Sequence, residues 1–155
     1  MKLPLLLAIV AFGVSAFAQQ QDDQKQALAD NAKKFDDAFN ANDAAAVAAL
    51  FTKDATYVTD TGIIVGRDAI QKYYEGFFKT VRYSNHKVVP DATSPHMISP
   101  HSFWCSGTYT NSWKTVNGKY SGNVSGFWSN IASMEDGVYK DAVQTWNRIP
   151  ASDKN

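Results

Sequence analysis

The sequence predicts an α+β domain in which helices from the first half cover a curved antiparallel sheet, a cone enclosing a pocket. Three observations predict it. Apolar residues recur at helical spacing up to about residue 40 and again over 66–79. From about Arg82 the period falls to two. Between two long strand-like runs stands Asn117-Gly118, the strongest short hairpin signal.

The start, "MKLPLLLAIVAFGVSAFAQQ", carries one positive charge at Lys2, an apolar run, and then Ala16-Phe17-Ala18 ahead of a polar tract. That is the layout of an export signal with a small-residue cleavage site. The apolar run is short for a bilayer and is interrupted by Gly13 and Ser15. Residues 1–18 are therefore expected to be removed and the chain to be secreted or periplasmic, with no membrane association afterwards. The domain is expected over 19–149, with a flexible tail at 150–155.

Leu28, Ala32, Phe35 and Phe39 follow at steps of four, three and four, the apolar stripe of an amphipathic helix. "NAND" breaks it, and Asn42 or Asp43 can cap a second short helix, "AAAVAALF". Ala55 to Thr59 reads as a strand, Asp60-Thr61-Gly62 as a turn, and "IIV" as a second strand. "GRDAIQKYYEGFFK" is the third helix, with Asp68 in its first turn and Ile70, Tyr74 and Phe77 on one face. "RYSNHKVV" is a strand stopped at Pro90, and "DATSPHMISP" a loop or edge segment. "SFWCSGTYTNSW" and "KYSGNVSGFWSNI" are long strands, "MEDG" a turn, and "VYKDAVQTWNRI" the last strand. Gly107, Gly122 and Gly126 let the long strands bend into a concave face.

Lys and Arg number 15, as do Asp and Glu, and no run of one sign stands out, so nothing is built to bind nucleic acid. Cys105 is the only cysteine, which excludes an intrachain disulfide, and its apolar run makes it a buried thiol. His86, His96 and His101 are spaced by ten and five across strand and loop, without a recognised metal-ligand pattern. No metal or cofactor is implied.

The order and the residues together resemble the ketosteroid-isomerase-like superfamily, also called SnoaL-like or nuclear transport factor 2-like. The resemblance rests on Ala38-Asn40-Asp43, Leu50-Phe51-Asp54-Ala55 and Gly66-Ile70, with the later paired hairpins, over about residues 27–149. It implies the cone fold and, often, a homodimer. Carried over residue by residue, the isomerase's tyrosine falls on Phe35, its base on Thr59 and its acid near Gly126. Phe35 and Gly126 supply no hydrogen-bond donor to a developing enolate, so the isomerase set is not intact.

Two carboxylates stay candidates for acid–base chemistry. Asp60 is either a base at the pocket mouth or a turn residue bonding the backbone near Gly62, and the turn is favoured. Asp141 lies mid-strand, with Val143 and Thr145 on its side and Lys140, Gln144, Trp146 and Arg148 on the other. Neither parity is clean, so the inward face stays open; facing in, Asp141 is the better acid. Tyr57, Thr59, Tyr74, His86, Trp104 and Trp128 are the candidate pocket lining, among strands rich also in Trp113, Trp146, Tyr109 and Phe127. The expected function is an exported binder of a small apolar or aromatic molecule. The alternatives are an isomerase or lyase using Asp60 or Asp141, and a homodimerising interaction module.

Overall fold

The computed structural model describes residues 4–149, with side chains described from residue 18 onward. Its elements are α1 (Pro4–Ala41), α2 (Ala44–Ala48), β1 (Phe51–Thr59), β2 (Gly62–Val65), α3 (Arg67–Thr80), β3 (Val81–Pro90), β4 (His96–Ser99), β5 (Ser102–Thr115), β6 (Ser121–Glu135) and β7 (Val138–Arg148). The tail expected at 150–155 lies outside the described residues. Among those residues no helix is long and apolar enough to cross a membrane.

The strands make one curved, unclosed sheet in the order β2-β1-β7-β6-β5-β3, with β4 beside β5. The α+β architecture is as expected, but the sheet is mixed rather than wholly antiparallel. β7 runs parallel to β1, with Tyr57 beside Gln144 and Val58 beside Thr145. The period of each strand is written in its own residues; the direction of a partner more than eighty residues away is not. A parallel pair needs only a long crossover, and α3 through β6 supply it.

Each of the three polar residues of "NAND" has a structural task. The Asn40 amide accepts from the His86 N–H (2.7 Å) and donates to the His86 carbonyl (3.0 Å). Asn42 clasps Tyr83 the same way, at 2.8 and 2.9 Å. Asp43 caps α2 by accepting from the Ala46 N–H at 3.0 Å. The end of α1 is thus fastened to the backbone of β3. Phe39 then fills the junction, with its ring 5.4 Å from Phe78 and 5.0 Å from Tyr83. Burial of each such ring stabilises the fold by about 1.5–3 kcal/mol.

The bending expected at glycines has a steric companion on the concave face. A Cβ on Gly126 would lie 2.0 Å from the Asn147 carbonyl oxygen and 2.6 Å from the Tyr109 ring. One on Gly107 would lie 2.2 Å from the Val89 carbonyl oxygen and 2.9 Å from the Trp128 ring. Only glycine lets those aromatic rings lie flat against the neighbouring strand.

Candidate functional site

Between the sheet and the helices lies a cavity of about 320 Å³, within the usual range for a small-molecule site. Helix α1 contributes Phe35 and Phe39, α3 contributes Tyr73, Tyr74 and Phe77, and the sheet contributes Tyr57, Tyr83, Tyr109, Trp128 and Trp146. The rings pack on one another, as with Phe77 and Tyr83, 5.0 Å apart and nearly parallel. Tyr74 donates a hydrogen bond to the Tyr57 hydroxyl at 2.8 Å, and burial pushes both phenols up. At the rim Arg148 lies 5.4 Å over the Trp146 ring.

Two polar centres interrupt this aromatic wall. The first is His86, whose Nδ1 is 2.9 Å from the Asp36 carboxylate; both residues are buried. Asp36 is held in turn by the Val88 N–H at 2.8 Å, and Lys87 Nζ stands 3.5 Å from its other oxygen. The imidazole is wedged against Phe39, with centroids 4.3 Å apart, and lies near parallel to Tyr109. A carboxylate at Nδ1 accepts its N–H, and in the neutral ring that tautomer keeps the lone pair on Nε2. A register shift between Ser84 and Lys87, with Asn85 at φ 53, aims the ring inward.

The second centre is Asp141 on β7. Its carboxylate accepts from Asn130 Nδ2 at 2.6 Å and from Gln144 Nε2 at 3.3 Å, and its own N–H donates to the Leu50 carbonyl. Burial pushes its carboxyl up to about 7. Asn130 also takes the Cys105 S–H, and burial pushes that thiol up as well, which suits an inert group. The open question of which side of the last strand faces in has a specific answer. Ala132 pairs with Asp141, while Ile131 pairs with Val143, so Ala142 is an extra residue in the ladder. The bulge puts Asp141, Gln144 and Trp146 on the same wall.

Of the candidates read from the sequence, Tyr57, Tyr74, His86, Trp128 and Asp141 lie on the cavity wall. Asp60, Thr59 and Trp104 do not. Asp60 is exposed in the β1–β2 turn, and even there the bonding is done by Thr59. The Thr59 hydroxyl donates to the Gly62 carbonyl at 3.0 Å and accepts from the Thr61 N–H at 3.2 Å, which occupies it outside the cavity. Trp104 is 41 % exposed on the outer face, its ring stacked on His96 at 4.3 Å. Phe103 and Cys105 on either side are buried, and alternation sends Trp104 the other way. Near Gly126, where the resemblance implied an acid, the Tyr109 ring occupies the space.

Asp36 was not among the candidates, though a signal existed. It falls four residues after Ala32 and three before Phe39, on the stripe's own face, and a carboxylate there needs a partner. For Asn111, Asn130 and Gln144 no local signal exists, because only the assembled sheet turns these amides toward a common space.

The SnoaL-like domain profile matches residues 32–116, more than half of the chain. No curated protein matches the sequence. Among solved structures, a protein provisionally named scytalone dehydratase, from Novosphingobium aromaticivorans, is similar with TM-score 0.74 at 16% identity, covering 89% of this chain and 92% of its own. A type 2 hexachlorocyclohexane dehydrochlorinase gives TM-score 0.72 at 13% identity, covering 86% and 90%. A ketosteroid isomerase-like protein from Erwinia carotovora atroseptica gives 0.69 at 17%, covering 78% and 92%. At these identities the structures speak for the fold, and the profile speaks for the family: the chain belongs to the SnoaL-like domain family.

Proposed function

We propose that the protein is a lyase-type enzyme in which His86 removes a proton from a small, apolar-bodied molecule held in the aromatic cavity. The observation that carries this reading is the buried His86–Asp36 pair at 2.9 Å on the cavity wall. Nε2 takes the proton, the C–H electrons form a double bond, and the leaving group departs with its own pair. Asp36 holds the ring and offsets the positive charge that develops on it. The cavity's aromatic faces exclude water from the imidazole and suit a ring. The names of two fold neighbours, a dehydratase and a dehydrochlorinase, denote eliminations, which supports the class without assigning a substrate.

The reading keeps the small-molecule cavity expected from the sequence and moves the base from Asp60 or Asp141 to His86. Its test is a panel of cyclic alcohols, ketones and alkyl halides incubated with the protein in D₂O, followed for olefin formation and for deuterium at acidic carbons. Wild type is expected to turn over at least one class, and His86→Ala to lose about 100-fold or more. Ligands that bind yet neither eliminate nor exchange leave a binding protein and overturn the enzyme reading.

The outer face of the sheet supports homodimerisation as a second part of the proposal. Trp104, Ile131 and Val143 pair in register across three strands and are all exposed. The next row, Ser106, Ser129 and Thr145, is uncharged, so two copies can meet without like-charge repulsion. Export directed by residues 1–18 belongs to the same proposal, and N-terminal sequencing of the protein from its host tests it.

A further inference from the structure

Three buried polar side-chain atoms among the described residues make no hydrogen bond of good geometry: Asn111 Oδ1, Gln144 Oε1 and Trp146 Nε1, the last standing beside the Tyr57 hydroxyl. All three belong to residues that line the same aromatic cavity. An unpaired buried polar atom is expensive and therefore uncommon, and three around one cavity call for polar partners within it. Gln144 is 8 % exposed and Asn111 7 %. Gln144 and Trp146 are two residues apart on β7 and share a face, so an acceptor and an N–H donor stand side by side.

We propose that Gln144 and Trp146 form a subsite for a hydroxyl group of the ligand, with Asn111 placed to accept from a second polar group nearer His86. The inference deepens the function proposed above and rests on it only for the occupant being a small molecule with an apolar body. A hydroxyl is singled out because it both donates and accepts. While Asp141 is ionised it engages Gln144 Nε2, so Oε1 faces an incoming group and needs a donor. If Asp141 holds its proton, the amide can turn, accept that proton on Oε1, and offer Nε2 instead. A hydroxyl fits both orientations. A carbonyl or an ether oxygen fits only the second, and a bare hydrocarbon fits neither.

The ring between the two centres sets the ligand's reach. Gln144 lies in the row of Asn130 and Cys105, whereas His86 lies beside Asn111, further along β5. Tyr109 bridges that offset, with its ring centroid 6.2 Å from that of His86 and 6.3 Å from that of Trp146. A ligand of one or two rings with its hydroxyl at Gln144 therefore keeps its far edge near His86. The base and the hydroxyl subsite hold opposite ends of one molecule.

The test is equilibrium binding by isothermal titration calorimetry with 2-naphthol, 2-methoxynaphthalene, 2-acetylnaphthalene and naphthalene. Wild type is expected to favour 2-naphthol over the ether and the ketone by about tenfold or more. Gln144→Leu is expected to abolish that preference, and Gln144→Met checks the result if the first variant folds poorly. Equal affinity across the wild-type panel, or a preference that survives in the Gln144 variants, overturns the hydroxyl subsite alone. No binding of any probe overturns the occupied-cavity reading together with it.

Discussion

Asp141 and Gln144 are three residues apart on one strand, yet both side chains face the same cavity and share a hydrogen bond of 3.3 Å. The Ala142 bulge makes this possible, since an odd separation on a regular strand sends side chains to opposite faces. The pair places a carboxyl in surroundings so dry that burial alone raises it to about 7 from 3.8.

That carboxyl sets a direction for stability with pH. The folded state holds the Asp141 proton more tightly than the unfolded chain, so its contribution is complete below pH 3.8 and is lost as pH rises through about 7. The whole effect is on the order of 4 kcal/mol at most. Asp141→Asn cannot ionise, and Gln144 can turn its free Oε1 toward the new amide. Urea unfolding should show the variant gaining on wild type between pH 5 and pH 8.5. Parallel curves across that window would mean that the carboxyl does not titrate there.

Glu135 has the opposite sign. It accepts from Lys140 Nζ at 2.8 Å and from the Lys53 N–H at 2.7 Å, and it pairs with Arg67, tying the β6–β7 hairpin to α3. The Lys140 bond first, then the Lys53 N–H, pull its carboxyl down from 4.5 to about 2. Its contribution is present above pH 4.5 and is lost as pH falls through about 2. Glu135→Gln is expected to cost roughly 1–2 kcal/mol at pH 7, with the difference closing on acidification. A constant difference from pH 7 to pH 2.5, measured by thermal unfolding, would point to packing and not to charge.

Gly126→Ala is predicted to be among the worst single-methyl additions in the sheet. The new carbon meets a backbone carbonyl at 2.0 Å and the Tyr109 ring at 2.6 Å, and neither is the free end of a flexible side chain. A loss on the order of 3 kcal/mol is expected in urea unfolding. Gly76→Ala is the control, because a Cβ there meets nothing within 4 Å and sits inside α3. It should be neutral or mildly stabilising.

Ile131→Asp tests the outer face. Ile131 stands between Trp104 and Val143 and is 37 % exposed, so the change leaves the core untouched. In a dimer built on this face, two added carboxylates would be desolvated near one another and weaken association by about 100-fold or more. Sedimentation velocity should show a wild-type dimer and a variant monomer at micromolar concentration. A monomeric wild type, or a variant dimer of unchanged affinity, removes this face from consideration.

Most of the fold was legible because its signals are local. The helical stripe from Leu28 to Phe39, the Asp43 cap, the turn at Gly62 and the hairpin at Gly118 are each decided within a few residues. The site was legible only in part. His86 was readable as a mid-strand histidine with an inward option, but Asp36 belongs to another element, fifty residues earlier in the chain. The parity of β7 could not be read because a bulge is a property of two strands: Ala142 is surplus only when counted against Ile131 and Ala132. Trp104 was misplaced by its chemistry, since a tryptophan suits a pocket and an outer face equally well.

The place of β7 in the sheet governs the order in which this molecule can be completed. The N-terminal hairpin of β1 and β2 and the later meander of β3, β5 and β6 are joined edge to edge only through β7, the last element described. Until that strand is made, both halves present unpaired edges, and Asp141, Gln144 and Trp146 are absent from the cavity wall. Pairings such as Tyr57 with Gln144 close very long loops, so sheet assembly is dominated by late, distant contacts. A growing chain therefore stays incompletely folded until β7 emerges.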